Sequence, residues 1–213
     1  MAKTKRRGQK KAKVGKNVKK YVKRVLDNKI EDKHLFVTTT NDNILDVGNK
    51  YLMNGIRQGT GSGQRVGAKI RLKHFQCKYR LTLAGAAVSG CVVRVILFRD
   101  RQTNFATPSN TDIFQLSTAV LLPQQMFNTE FRQRFKVLYD KRHSIEMSGG
   151  STNIPKQVNG SINKKLNFTT TYTTDTGTVT DINTNSLYMM VIGSEAANFP
   201  LILYNSLITY EDA

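Results

Sequence analysis

Between Lys3 and Arg24 the chain carries twelve lysines and arginines and no aspartate or glutamate. No other stretch constrains the fold as strongly, because like charges at that density repel one another and cannot be packed into a core. The remaining 189 residues hold 21 basic and 15 acidic groups, so about +6 of the formal +18 lies outside this run. A polyanion is needed to neutralise the segment. The folded body has to come from the residues C-terminal to it.

Within the run, composition to about Gly15 reads as disordered, and then a pattern appears. Val14, Val18, Tyr21 or Val22, and Val25 recur at spacings of three and four, with Leu26 and Ile30 close by. Lys16, Lys19, Lys20, Lys23 and Arg24 fill the other faces, which predicts an amphipathic helix with a narrow apolar stripe and a broad cationic one. Asp27, Glu31 and Asp32 arrive at its C-terminal end, where they oppose the helix dipole. Such a helix is marginal alone and forms fully when phosphates screen its charges. Its stripe lacks the Trp, Phe and Leu of a membrane anchor, so nucleic acid and not membrane is the expected partner. The candidate nucleic-acid-binding residues are Lys3, Lys5, Arg6, Arg7, Lys10, Lys11, Lys13, Lys16, Lys19, Lys20, Lys23 and Arg24. KRRGQKKAK, Lys5 to Lys13, would also serve as a nuclear localisation signal.

After residue 33 the composition suits one domain of roughly 180 residues. His34 to Thr40 is β-branched and aromatic, a first strand. Phe75, Cys77, Tyr79, Leu81 and Leu83 alternate with Gln76, Lys78, Arg80 and Thr82. Ile70 and Leu72 lie on the opposite phase, so a bulge or bend is expected near Lys73-His74. Cys91 to Arg99 is apolar on both faces and belongs in the middle of a sheet. Asp112 to Leu122 reads as a helix or short strand ended by Pro123. Phe135, Val137 and Tyr139 mark another half-buried strand, as do Ile162, Leu166, Phe168, Thr170 and Tyr172. Thr173 to Ser186 reads as loop, and Leu187–Ile192 and Leu201–Tyr210 close the series. The expected fold is all-β, an eight-stranded jelly-roll sandwich over 34–213, with a basic arm and helix over 1–33.

Catalytic patterns are missing. The glycine-rich passage Gly55–Ile70 fails the Walker spacing, since Gly67 is followed by Ala68-Lys69-Ile70 and a strand pattern. It fails the dinucleotide pattern too, because Val66 stands where a third glycine is required. His34, His74 and His143 are scattered, and Asp100 and Asp140 read as strand-end salt bridges beside basic neighbours. Cys77 and Cys91 make no metal-binding pair and read as small buried side chains in a reducing compartment. The basic N-terminus, with no apolar stretch behind it, is not the pattern of a signal peptide. The sequons at Asn159 and Asn167 are therefore expected to go unused.

Five passages in order then resemble a known family: KRVLDNKIEDKHLF, NGIRQGTGSGQRVGAKI, VVRVILFRDRQ with TPSNTDIF after it, RFKVLYDK, and the terminal TYEDA. The chain resembles the single jelly-roll capsid proteins of the satellite tobacco necrosis virus type and of small circular single-stranded DNA viruses. RFKVLYDK and FRDRQ lean toward the circular DNA viruses. The resemblance implies a viral capsid protein and no enzyme, forming a shell of sixty identical subunits (T=1) that packages a single-stranded DNA or RNA genome on inward-pointing arms. It implies a virion protein that passes through the host nucleus or cytoplasm during assembly. It also makes Arg71 a further nucleic-acid-facing residue. No cofactor is required, but the family binds calcium between subunits. Glu31 and Asp212 match its carboxylate ligands, with the backbone carbonyls of Val66 and Lys69 completing the site. Thr60 stands where the satellite capsids have the aspartate of a threefold-axis ion, and Ala68 replaces another acidic residue nearby, so that ion is expected to be absent.

Two other readings share the arm. One is a non-assembling basic β-sandwich that binds nucleic acid, and the other is an enzyme or carbohydrate-binding jelly roll with a nuclear-targeting tail. A binding module should carry basic and aromatic residues on one sheet face. The one candidate stripe, Gln76-Lys78-Arg80, has no interleaved aromatic.

Overall fold

The computed structural model describes residues 15, 17–19, 21, 31–84, 90–115, 123–147 and 157–212. The chain divides into two units, Met1–Glu31 and Asp32–Ala213. In the first, residues 17–19 and 21 are helical, and the Lys19 N–H donates to the Gly15 carbonyl at 3.2 Å. That is one α-helical turn. The other positions of the expected basic helix lie outside the described residues.

In the second unit the described residues form nine strands. They are β1 (Lys33–Asn43), β2 (Asn49–Leu52), β3 (Lys69–Thr82), β4 (Cys91–Asp100), β5 (Phe135–Ile145), β6 (Val158–Tyr172), β7 (Ile182–Thr184), β8 (Ser186–Gly193) and β9 (Leu201–Asp212). One sheet runs β1-β9-β3-β6-β7 and the other β2-β8-β4-β5. The antiparallel pairs nest: β4 with β5, β3 with β6, β2 with β8, β1 with β9. A nested set of antiparallel pairs folded over into two facing sheets is a jelly roll. The three-residue β7 adds a short edge to its eight strands.

Core formation follows the alternation. Ile70 and Leu72 are buried, the register shifts between Leu72 and His74, and Phe75, Cys77, Tyr79 and Leu81 are then buried on the opposite phase. The expected bulge is present: against β9 the extra residue is Lys73, whereas against β6 the extra residue lies in β6. On β4, Val93, Val95 and Leu97 face the space between the sheets, while Ile96 and Phe98 enter a second cluster with Tyr188, Met190 and Ile192. That cluster is closed by Ile113, at the end of the short helix α1 (Asn110–Ile113), and by Phe114. Two buried faces explain why these strands read as continuous apolar runs. Arg94 interrupts β4 and is itself buried, donating to both carboxylate oxygens of Asp140 at 2.7 and 2.6 Å and to the Pro123 and Gln125 carbonyls.

Four expectations are corrected. β2 falls in the polar stretch before the glycine-rich passage, where no strand is expected; each of its four residues is half-buried, so it has no two-residue contrast. In β5 the register shifts opposite Leu97/Phe98, so Val137 faces out at 37% exposure whereas Tyr139, His143 and Ile145 turn to the other side. The segment after Thr173 contains a 3₁₀ turn, Val179–Asp181, and β7. The helix expected after Asp112 is only the end of α1, and its later residues, 116–122, lie outside the described residues.

Candidate nucleic-acid interface

At the first residues of the body, charges alternate. The Lys73 ammonium donates to Asp32 at 2.7 Å and lies 3.3 Å from Glu211. Arg71 donates to the other Glu211 oxygen at 3.2 Å and to the Asn167 side chain at 3.2 and 2.9 Å. Glu211 is 4% exposed, so two cations balance one buried carboxylate. The hydrogen bond to Asp32 holds the Lys73 pKa above its ordinary value, against a smaller desolvation cost and with further help from Glu211. Arg71 and Lys73 are two residues apart on β3, so strand alternation puts both side chains on one face. Just alongside, Lys33 Nζ lies 2.7 Å from Asp212 Oδ2 and donates to the Gln64 carbonyl at 3.0 Å. The point from which the arm departs is therefore tied by ion pairs to β3 and β9.

Of the arm cations, Lys19 is described, exposed and helical. The other eleven lie outside the described residues. Arg71 is paired within its own subunit, with about a third of its side chain exposed. The expected calcium ligands fall in different units. Glu31 is exposed in the first and Asp212 belongs to the second. Asp212 already accepts from Lys33 and from the Val66 N–H at 3.1 Å, and the Val66 carbonyl accepts from Gln58 Nε2 at 2.9 Å. Among the described residues no group of three or more His, Cys, Asp or Glu could hold a metal. Within one subunit, a lone carboxylate paired with an ammonium does not make a calcium site, so any such ion would need ligands from a neighbouring copy.

What orders the glycine-rich passage is Arg65, a residue the sequence did not single out. It is fully buried and its guanidinium lies 4.2 Å from the Tyr172 ring centroid. It donates to the carbonyls of Ile56 (3.0 Å), Gly67 (2.7 Å) and Thr174. Thus one cation clamps the β2–β3 loop onto the loop after β6. The second loop is wrapped around Asp181, which accepts from the Thr174 and Thr176 hydroxyls and the Gly177 and Thr178 amides. Burial opposes ionisation of Asp181, but these four hydrogen bonds together outweigh it and lower its pKa. Gly177 has φ +78°, and a Cβ there would lie 2.8 Å from the Arg57 nitrogen. The passage is a structural clamp.

Asp100, Asp140 and His143 have structural partners. Asp100 takes two 2.9 Å hydrogen bonds from Arg134, and Asp140 pairs with Arg94, so both aspartates are salt-bridged as expected, with partners distant in sequence. Tyr79 hydroxyl lies 2.8 Å from both Tyr139 hydroxyl and His143 Nε2. Cys77 and Cys91 are free and buried, and burial pushes their pKa up to about 12 and about 11, leaving unreactive thiols.

Fold and site together define a class: a single jelly-roll domain whose cationic N-terminal segment departs from an ion-paired root. Over residues 1–213 the chain matches the family described as satellite tobacco necrosis virus coat protein, and it belongs to that family. It is 26% identical over 198 residues to the coat protein of Maize white line mosaic satellite virus, covering 92% of this chain and 88% of that one. Among solved structures it matches Desmodium yellow mottle tymovirus at 12% identity and TM-score 0.34, over 86% of this chain and 87% of that one. The strand order, not this last likeness, carries the fold. The protein is a viral coat protein, a structural component of the virion and not an enzyme.

Proposed function

We propose that this coat protein assembles into a T=1 shell of sixty copies and draws a single-stranded genome inside with its arm. One observation carries the reading: a whole-chain match to a coat-protein family that includes a segment with twelve cations and no acid. Sixty such arms bring on the order of 700 positive charges to the interior, enough to offset a comparable number of phosphates while small cations cover the rest. Arginines and lysines without patterned base-reading partners neutralise backbone and do not select sequence. Single-stranded DNA and RNA are both served by this chemistry, and nuclease sensitivity of the cargo separates them. The segment Lys5 to Lys13 would carry the subunit to the host nucleus, with cytoplasmic assembly as the outcome if that signal is silent. Calcium enters this reading only between assembled subunits, where Asp212 would exchange Lys33 for the ion.

Size-exclusion chromatography and negative-stain microscopy of the purified chain test the reading. The expected particle has a protein mass of about 1.4 MDa, sixty times 24.0 kDa. A monomer or small oligomer at all salt concentrations would overturn it in favour of a non-assembling nucleic-acid-binding module.

A further inference from the structure

On the solvent side of the five-stranded sheet the register places Lys78 beside Asn205 and Ser161, and Arg80 beside Leu203 and Asn159. A cavity of about 550 Å³ opens there, and Lys141 of the other sheet reaches its rim. Its cations are Lys78, Arg80 and Lys141, and no carboxylate lines it. None of the three has an ion-pair partner among the described residues, unlike Arg71 and Lys73 on the same strand. Single unpaired surface lysines are ordinary. Three cations converging on one cavity are not, because each raises the cost of the next unless an anion joins them.

Arg80 Nε sharpens the point, being buried and without a hydrogen-bond partner. A buried unsatisfied donor costs about 1–3 kcal/mol, and a cationic one more, so a native structure needs a reason to keep it. Gly160 makes the room: a Cβ there would come within 2.2 Å of the Tyr79 ring, so the wall stays flat beside Tyr79. Asn159, Ser161 and Asn205 add neutral donors around the three cations. A cluster of cations and amide or hydroxyl donors without carboxylates is the chemistry of a phosphate site. The same sheet face carries an aromatic: Phe36 of β1, 72% exposed, sits in register with Leu207 and Gln76, one row from Lys78. The basic stripe read as lacking an aromatic gains one from a strand forty residues away in sequence.

We propose that this cavity is a second nucleic-acid subsite, in which Lys78, Arg80 and Lys141 hold a backbone phosphate of the packaged single strand. The proposal rests on the packaging reading above. It makes the sheet face, and not the arm alone, part of the cargo surface.

Lysine acetylation and mass spectrometry test this on intact particles, before and after nuclease has removed the cargo. Lys78 and Lys141 should be protected severalfold while cargo is present and should lose that protection when it is removed; Lys136, exposed and outside the cavity, serves as the reference. Equal labelling of Lys78 and Lys141 in filled and emptied particles would overturn the subsite and leave packaging by the arm intact. Particles that hold no nucleic acid at all would overturn the packaging reading itself. A second measurement avoids the shell: oligothymidylate titrated into disassembled full-length chain at several salt concentrations. The double variant Lys78→Ala/Lys141→Ala should lower the log–log salt slope by about 0.7, the value for one phosphate contact to a single strand. An unchanged slope would count against the site.

Discussion

Lys33 Nζ lies 2.7 Å from Asp212 Oδ2, joining the first residue of β1 to the last residue of β9. The lysine side chain is 18% exposed and the aspartate 26%, so the pair is partly shielded from solvent. It closes the sheet edge at the place where the cationic arm begins, and it occupies the carboxylate that an intersubunit calcium ion would need. Lys33→Ala should cost about 1 kcal/mol of stability. Calcium should also stabilise assembled particles of Lys33→Ala more than assembled particles of wild type, because the intersubunit ion no longer has to displace the ammonium from Asp212. Differential scanning fluorimetry in calcium and in chelator reads both effects. A calcium shift in wild type larger than in the variant would show that the ammonium does not compete for Asp212.

Arg65 should be among the residues least tolerant of change. Arg65→Met removes the donors to three carbonyls and leaves them buried, at about 1–3 kcal/mol for each group left unsatisfied. The expected loss is about 3 kcal/mol or more in urea denaturation. Arg57→Ala, at an exposed arginine in the same loop, should stay within about 0.5 kcal/mol of wild type. Equal effects from the two variants would mean that burial of Arg65 does not anchor the clamp.

The packing of His143 gives the fold a pH dependence whose sign comes from linkage. Burial, with Lys141 as a smaller contributor, lowers the His143 pKa below its ordinary value. As pH falls through about 6.5 the unfolded chain takes up a proton that the folded chain refuses, so stability declines on acidification until the folded pKa is reached. His143→Gln keeps a polar group within reach of the Tyr79 hydroxyl and has no proton to gain. Its unfolding free energy should be flatter than that of wild type between about pH 7 and pH 5. Parallel curves would place the acid sensitivity outside His143.

The fold was legible wherever residues contrast with their own neighbours. The phase change from Ile70 and Leu72 to Phe75 and Cys77 announced the bulge at Lys73, and the apolar run of β4 announced a strand buried on both sides. β2 was illegible because a four-residue strand with every residue half-buried has no period to read. The slip near Leu138 was hidden because Phe135, Val137 and Tyr139 still alternate in sequence across it. Partners far apart along the chain were beyond reach as well. Nothing near Arg65 signals that it will meet the Thr174 carbonyl, and nothing near Lys78 signals Lys141 or Phe36. The arm is the opposite case, since charge density needs no tertiary partner to be read.

The most direct test of the central claim compares particles made from the full chain with particles made from a chain lacking residues 1–24. Absorbance at 260 and 280 nm, with electrophoresis of the extracted cargo, gives the nucleic acid held by each. The truncated chain is predicted to keep its jelly-roll circular dichroism and lose its genome-length cargo. Full-length genome recovered from truncated particles, in amounts equal to wild type, would contradict packaging by the arm.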